Sequence, residues 1–72
     1  MDKIVKMDLK ILVIGLGSMG KRRIRNLMAL GHKKIFGFDI NRARRIEATE
    51  KYAIKTFASF EDALNQTQAN TF

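Results

Sequence analysis

The sequence has no cysteine, so it can form no disulfide and no thiolate metal site. That fits a reducing compartment, and a cytoplasmic location is expected. It has one histidine, His32, and nothing near it has metal-ligand spacing, so His32 reads as a surface residue and no metal is expected. Proline and tryptophan are also absent. No apolar run is long: Ile11 to Ile14 is far too short to cross a bilayer, and residues 1–9 are charged, without the apolar stretch of a signal peptide. No membrane segment is therefore expected. Acidic residues are scarce, 7 against 14 Lys and Arg, which leaves a net charge of +7. The cations are spread from Lys3 to Lys55 rather than gathered in one run. Charge alone discriminates weakly, so the reading is a solvated surface plus a site that attracts an anion, not a nucleic-acid partner. The 72 residues allow one small domain. A chain of that size buries only about 60% of its unfolded surface.

What is present is an ordered set of strand, turn and helix signals. Lys10 to Ile14 is apolar and β-branched and runs straight into Gly15-Leu-Gly-Ser-Met-Gly20, and a helix-period segment spans Ser18 to about Leu30. A dinucleotide-binding βα turn requires this order. Gly15 allows the sharp turn out of the strand, Gly17 lets backbone approach a pyrophosphate, and Gly20 lets the helix pack closely on the strand. The N–H groups around Ser18, Met19 and Gly20 have no intrahelical partners and can donate to phosphate oxygens, with the helix dipole favouring the anion. Asp39, nineteen positions after Gly20, closes the next strand. There its carboxylate can accept from the ribose 2′ and 3′ hydroxyls and oppose a 2′-phosphate, which favours NAD over NADP. Its alternative role is to shape the turn into the following helix. Arg42 and Arg44 can reach a 2′-phosphate or stack on adenine. The expected cofactor-binding set is Gly15, Leu16, Gly17, Ser18, Met19, Gly20, Asp39 and Ile40. No catalytic constellation is visible: hydride transfer needs a proton donor or acceptor near the substrate, and His32 lies at the wrong end of the first helix.

The remaining signals order the rest of the chain. The first strand is expected over Leu9 to Ile14 and the first helix over Ser18 to Leu30, with Gly20, Ile24, Leu27 and Met28 facing the sheet. Gly31 caps that helix. Lys21, Arg22, Arg23 and Arg25 oppose its dipole, a conflict that bound pyrophosphate or plain solvation relieves. A second strand covers Lys34 to Asp39, with Gly37 marking a close backbone approach. Asn41 caps a helix over Arg42 to Tyr52, whose buried side is expected at Ile46 and Ala53. A third strand covers Ile54 to Phe57, and Ser59 opens a capping box with Asp62 for a helix over Phe60 to Asn65. Residues 1–8 read as a lead-in, and Thr71-Phe72 as the start of a further element. This is β-α-β-α-β-α: an α/β chain forming half of a Rossmann fold, a three-stranded parallel sheet in order 3-2-1 with flanking helices. The whole of 1–72 is read as a partial dinucleotide-binding domain without a substrate domain. The first strand would be an exposed edge, apolar on both faces, and predicts a homodimer through antiparallel pairing with its copy.

The stretch from Val13 to Gly31 resembles the N-terminus of the Gfo/Idh/MocA oxidoreductase family. Phe38-Asp-Ile-Asn-Arg42 and Lys51 to Leu64 resemble that family's second and third βα units. Arg23 stands where that family often carries His. The resemblance covers about Lys10 to Leu64. It implies an NAD(P)-dependent dehydrogenase acting on sugars, cyclitols or related polyols. It also implies a C-terminal α/β domain with a Lys-Pro motif and a catalytic His or Lys, none of which maps onto this chain. The expectation is a cofactor-binding fragment of such an enzyme, inactive alone. Two alternatives fit the same residues. The β-hydroxyacid dehydrogenases share Gly-Leu-Gly-x-Met-Gly, and a stand-alone nucleotide-binding or sensing module needs no more than these elements.

Overall fold

A computed structural model describes residues 9–69. The expected lead-in at residues 1–8 and the element starting at Thr71 lie outside the described residues. The elements run β1 (Lys10–Ile14), α1 (Ser18–Ala29), β2 (Lys34–Phe38), α2 (Arg42–Tyr52), β3 (Lys55–Phe57) and α3 (Phe60–Thr67). The strands form one parallel sheet in which β2 lies between β1 and β3. Lys10 pairs with Lys34 and Ile14 with Phe38, so β1 and β2 end level; Phe36 to Phe38 pair with Lys55 to Phe57. The partial Rossmann architecture and its strand order agree with the sequence reading.

Two cores flank the sheet. Ile11, Val13 and Ile35 pack with Leu16, Ile24 of α1, Ala48 of α2 and Ile54 on one face. Leu12 and Phe57 pack with Ala63 of α3 on the other, where Phe38 and Phe60 meet edge to face at 5.7 Å. Successive residues Ile11, Leu12 and Val13 of β1 thus enter alternate cores, which is why the middle of that strand is apolar on both faces.

Caps fix the helices. The Asn41 side chain accepts from Arg44 N–H, and the Ser59 side chain from Asp62 N–H. Past the end of α1, Gly31 has φ +93°, the left-handed conformation that terminates helices.

Four details of packing and length differ from expectation. Met28 is 39% exposed. On a 3.6-residue repeat Gly20, Ile24 and Leu27 share the centre of the buried stripe, and Met28 falls at its margin. In α2 the fully buried residue is Ala48, whereas Ile46 is 43% exposed. Ala48 is the residue by which α2 joins the core on that face of the sheet. Ala53 is an exposed left-handed cap beyond α2, not part of its buried side. Finally, α3 runs on to Thr67, whose hydroxyl turns inward to donate to the Ala63 carbonyl at 2.6 Å.

Gly37, in the middle of β2, makes the close approach expected of it. A Cβ built there would lie 2.9 Å and 3.0 Å from the two methyls of Leu16 and 3.3 Å from Ile54 Cδ1. Leu16 is fully buried and has nowhere to retreat. Gly37→Ala is therefore expected to destabilise the chain by about 1–3 kcal/mol through overpacking, read as a lowered urea midpoint; an unchanged midpoint would show that Leu16 repacks freely.

Candidate cofactor site

The site lies at the carboxyl ends of β1 and β2. Gly15 leaves β1 with φ +88°, and its N–H donates to the Phe38 carbonyl at 2.8 Å. A residue with a side chain would be strained in that conformation. Leu16 turns inward into the core. Gly17 then caps α1 without any side-chain hydrogen bond. A Cβ built on Gly20 would run into the Gly15 carbonyl, so the first turn of α1 rests directly on the loop. Ser18, Met19 and Gly20 form that first turn, and no acceptor among the described residues takes their N–H groups. These donors open onto a cleft of about 440 Å³ that Gly15, Gly17 and Arg23 also line. Three N–H groups at a helix start, reached over a bare glycine backbone, form a cradle for a phosphate group.

Of the expected set, Gly15, Gly17, Ser18, Met19 and Gly20 line the cleft, whereas Leu16, Asp39 and Ile40 do not. Leu16 participates through its backbone. Its N–H donates to Asp39 Oδ2 at 2.9 Å, while Asp39 Oδ1 accepts from Asn41 N–H at 2.8 Å. Asp39 is only 6% exposed, so its carboxylate joins the glycine loop to the β2–α2 turn from within. Burial pushes its pKa up. The two N–H bonds and the Arg44 guanidinium, 3.7 Å away, outweigh that and hold it below the ordinary carboxylate value. Ile40, next in the chain, is 81% exposed.

Two contributors lie outside the expected cofactor-binding set. Arg45 Nη1 donates to the carbonyls of Asp39 at 2.8 Å and Ile40 at 3.1 Å, tying α2 back to the turn. Arg23 points into the cleft and finds no acidic partner among the described residues. Two of the other α1 cations turn away. Lys21 bonds Glu47 and Arg25 bonds the Tyr52 hydroxyl at 2.9 Å, both on α2. The dipole conflict is thus eased within the protein for these two.

Comparison with known proteins agrees with the cradle and corrects the family. The family model for the NAD binding domain of 6-phosphogluconate dehydrogenase matches residues 10–71. No curated protein and no solved structure matches the chain. The resemblance to Gfo/Idh/MocA is overturned by that family match. Its most specific residues were those of the glycine loop and first helix, which serve the same pyrophosphate in many families and report the ligand more than the lineage. Gly15-Leu-Gly-Ser-Met-Gly20, shared with the β-hydroxyacid dehydrogenases, and Arg23 in place of His were the signals that separate the two.

The enclosure of Asp39 has a measurable consequence. An Asn at position 39 has one oxygen for two N–H donors, so its amide NH2 must face either Leu16 N–H or Asn41 N–H. Asp39→Asn is expected to cost about 1–3 kcal/mol at pH 7. Because the native pKa is depressed, the wild-type contribution is present above the unfolded value of about 3.9 and is lost as pH falls through the lower native value. Urea unfolding between pH 7 and pH 2 should show a smaller acid-induced loss in the variant; equal slopes would contradict the arrangement.

Proposed function

This chain belongs to the family of the NAD binding domain of 6-phosphogluconate dehydrogenase, and from that premise we propose that it is the cofactor-holding part of a dehydrogenase acting on a hydroxy acid. The observation that carries the reading is the open first turn of α1: unpartnered N–H groups at Ser18, Met19 and Gly20 above the bare backbone of Gly17. A bound nicotinamide dinucleotide supplies the hydride acceptor. The chain's own residues bind and orient it. The N–H groups donate to pyrophosphate oxygens, and Arg23 adds positive charge at the cleft. Asp39 keeps the loop in shape. Ile14, 50% exposed, and Met19, 82% exposed, offer apolar surface at the cleft for a flat ring. The proton-handling group and the hydroxy-acid pocket belong, on this reading, to polypeptide beyond these residues, and the chain alone holds cofactor without turnover. No helix among the described residues is long and apolar enough to cross a membrane.

The same reading extends to assembly. Among the described residues β1 pairs with β2 alone, although its centre is buried on both faces. Antiparallel pairing of β1 with its copy about a two-fold axis would complete that edge. Light scattering at micromolar concentration is expected to give twice the 8.2 kDa chain mass; a stable monomer would refute the pairing.

Binding is tested by calorimetry with NAD. Gly17 has φ −76°, and the atoms nearest to a Cβ there are those of the Arg44 guanidinium, at an ordinary contact distance of 3.7 Å. Gly17→Val is therefore expected to fold like the wild type. It should weaken NAD at least about tenfold by blocking approach to the backbone. Equal affinity of the two proteins would remove the cradle from consideration.

A further inference from the structure

The outer edge of β3 and the flank of α2 above it form a second surface, at the opposite edge of the sheet from β1. Among the described residues β3 pairs with β2 alone, so its other edge is open. Beside that edge lies a hollow lined by Arg42, Ile46, Thr49 and Glu50 of α2 and by Thr56, the middle residue of β3. Arg45 reaches it too but is held by the Asp39 and Ile40 carbonyls. Ile46 is exposed there, while Thr49 Oγ1 turns to the Ile54 carbonyl. Among the described residues the ion pairs of α2 are made by Arg44, Glu47 and Lys51, and neither Arg42 nor Glu50 has one.

The order of these residues is self-complementary. Arg42 stands four residues before Ile46 and Glu50 four after it, so the three share one face of the helix. About a two-fold axis through Ile46, an antiparallel copy sets Arg42 against Glu50, Glu50 against Arg42, and Ile46 against itself. The same axis, normal to the sheet, turns β3 antiparallel to its copy about Thr56, which lines the same hollow, and pairs the two open edges. The spacings of strands and helices agree with this. Paired strands stand about 4.8 Å apart, and α2 packs on both β3 and β2. Each α2 axis then lies about 5 Å from the two-fold axis and about 10 Å from its copy, the separation of packed helices. Lys55 would meet Phe57 of the copy rather than a like charge.

We propose that the α2–β3 face is a docking surface for a second copy of this chain, held by reciprocal Arg42–Glu50 pairs around Ile46 and by antiparallel pairing of β3. The contact is independent of the dinucleotide reading. It uses the sheet edge opposite β1, so it does not compete with pairing through β1; with three strand residues against five it is the weaker of the two. The chain has no cysteine, so Ile46→Cys places a single thiol at the two-fold axis. Mild oxidation of the full chain should link this variant into a dimer at least about tenfold faster than Lys51→Cys, which lies on another side of α2, because a disulfide needs Cβ atoms within about 4.5 Å. Adding Arg42→Glu or Glu50→Arg to Ile46→Cys should slow linking at least about fivefold by setting like charges together. An equal mixture of those two doubly substituted chains should recover the rate as mixed dimers, since it sets opposite charges together again. Light scattering of the wild type should show the mass rising between micromolar and near-millimolar concentration, and rising less in Glu50→Arg. Equal linking rates at positions 46 and 51, or a mixture no faster than either chain alone, would overturn the proposal.

Discussion

One buried carboxylate holds the working end of the sheet together. β1 and β2 finish level, and beyond them the chain leaves in two directions, through the glycine loop into α1 and through the Asp39–Asn41 turn into α2. Asp39 gives one oxygen to each path, to Leu16 N–H and to Asn41 N–H. Burial of the charge costs free energy, offset by charge-assisted bonds and by Arg44. The bond to Leu16 also sets where the leucine side chain goes, over the bare backbone of Gly37. Carboxylate, leucine and glycine therefore act as one unit. The loop is shaped before any phosphate arrives, which lowers the ordering cost of binding.

Element positions were legible because each apolar run ends at a residue with its own local chemistry: Gly15, Gly31, Asn41 and Ser59. The buried face of α2 was not legible. A search for the largest apolar residue selects Ile46, but the helix is rotated so that Ala48 enters the core and Ile46 stays 43% exposed. Sequence spacing placed Asp39 at the strand end yet could not say which way its carboxylate turned. The structure turns it inward, to the loop and the turn into α2. Nor could spacing assign Arg45 to two backbone carbonyls, since that depends on how α2 folds back over its own entry. The α3 end was misplaced for a related reason: Thr67 reads as polar loop, but its hydroxyl bonds back to the preceding turn and its methyl group is free to be buried.

The basic surface is sorted by geometry rather than by amount. Lys21 and Arg25 cross from α1 to α2, onto Glu47 and Tyr52. The Glu47 carboxylate is held below its ordinary pKa chiefly by its hydrogen bond from Lys21. Exposed pairs of this kind add little stability. Their effect is directional: they draw two cations off the first turns of α1 and leave Arg23 at the cleft and Arg44 over the loop. Positive charge remains where an anionic ligand would lie, while Lys21 and Arg25 are partnered across the two helices.

The position of the cleft follows from the path of the chain. α1 and α2 share one core with the sheet, while α3 packs against the opposite face, on β2 and β3. Two crossovers carry the chain outward from β1 to β3 on one side, and the third helix reverses to the other. In doubly wound sheets ligands bind at the carboxyl ends of the strands where this reversal occurs, beside the first strand. The glycine loop stands at that place. No strand among the described residues lies on the far side of β1. The cleft is consequently open along that edge, and Ile14 and Met19 remain exposed beside the phosphate cradle. The topology that creates the binding site is the same one that leaves its outer wall to be supplied by whatever packs against β1.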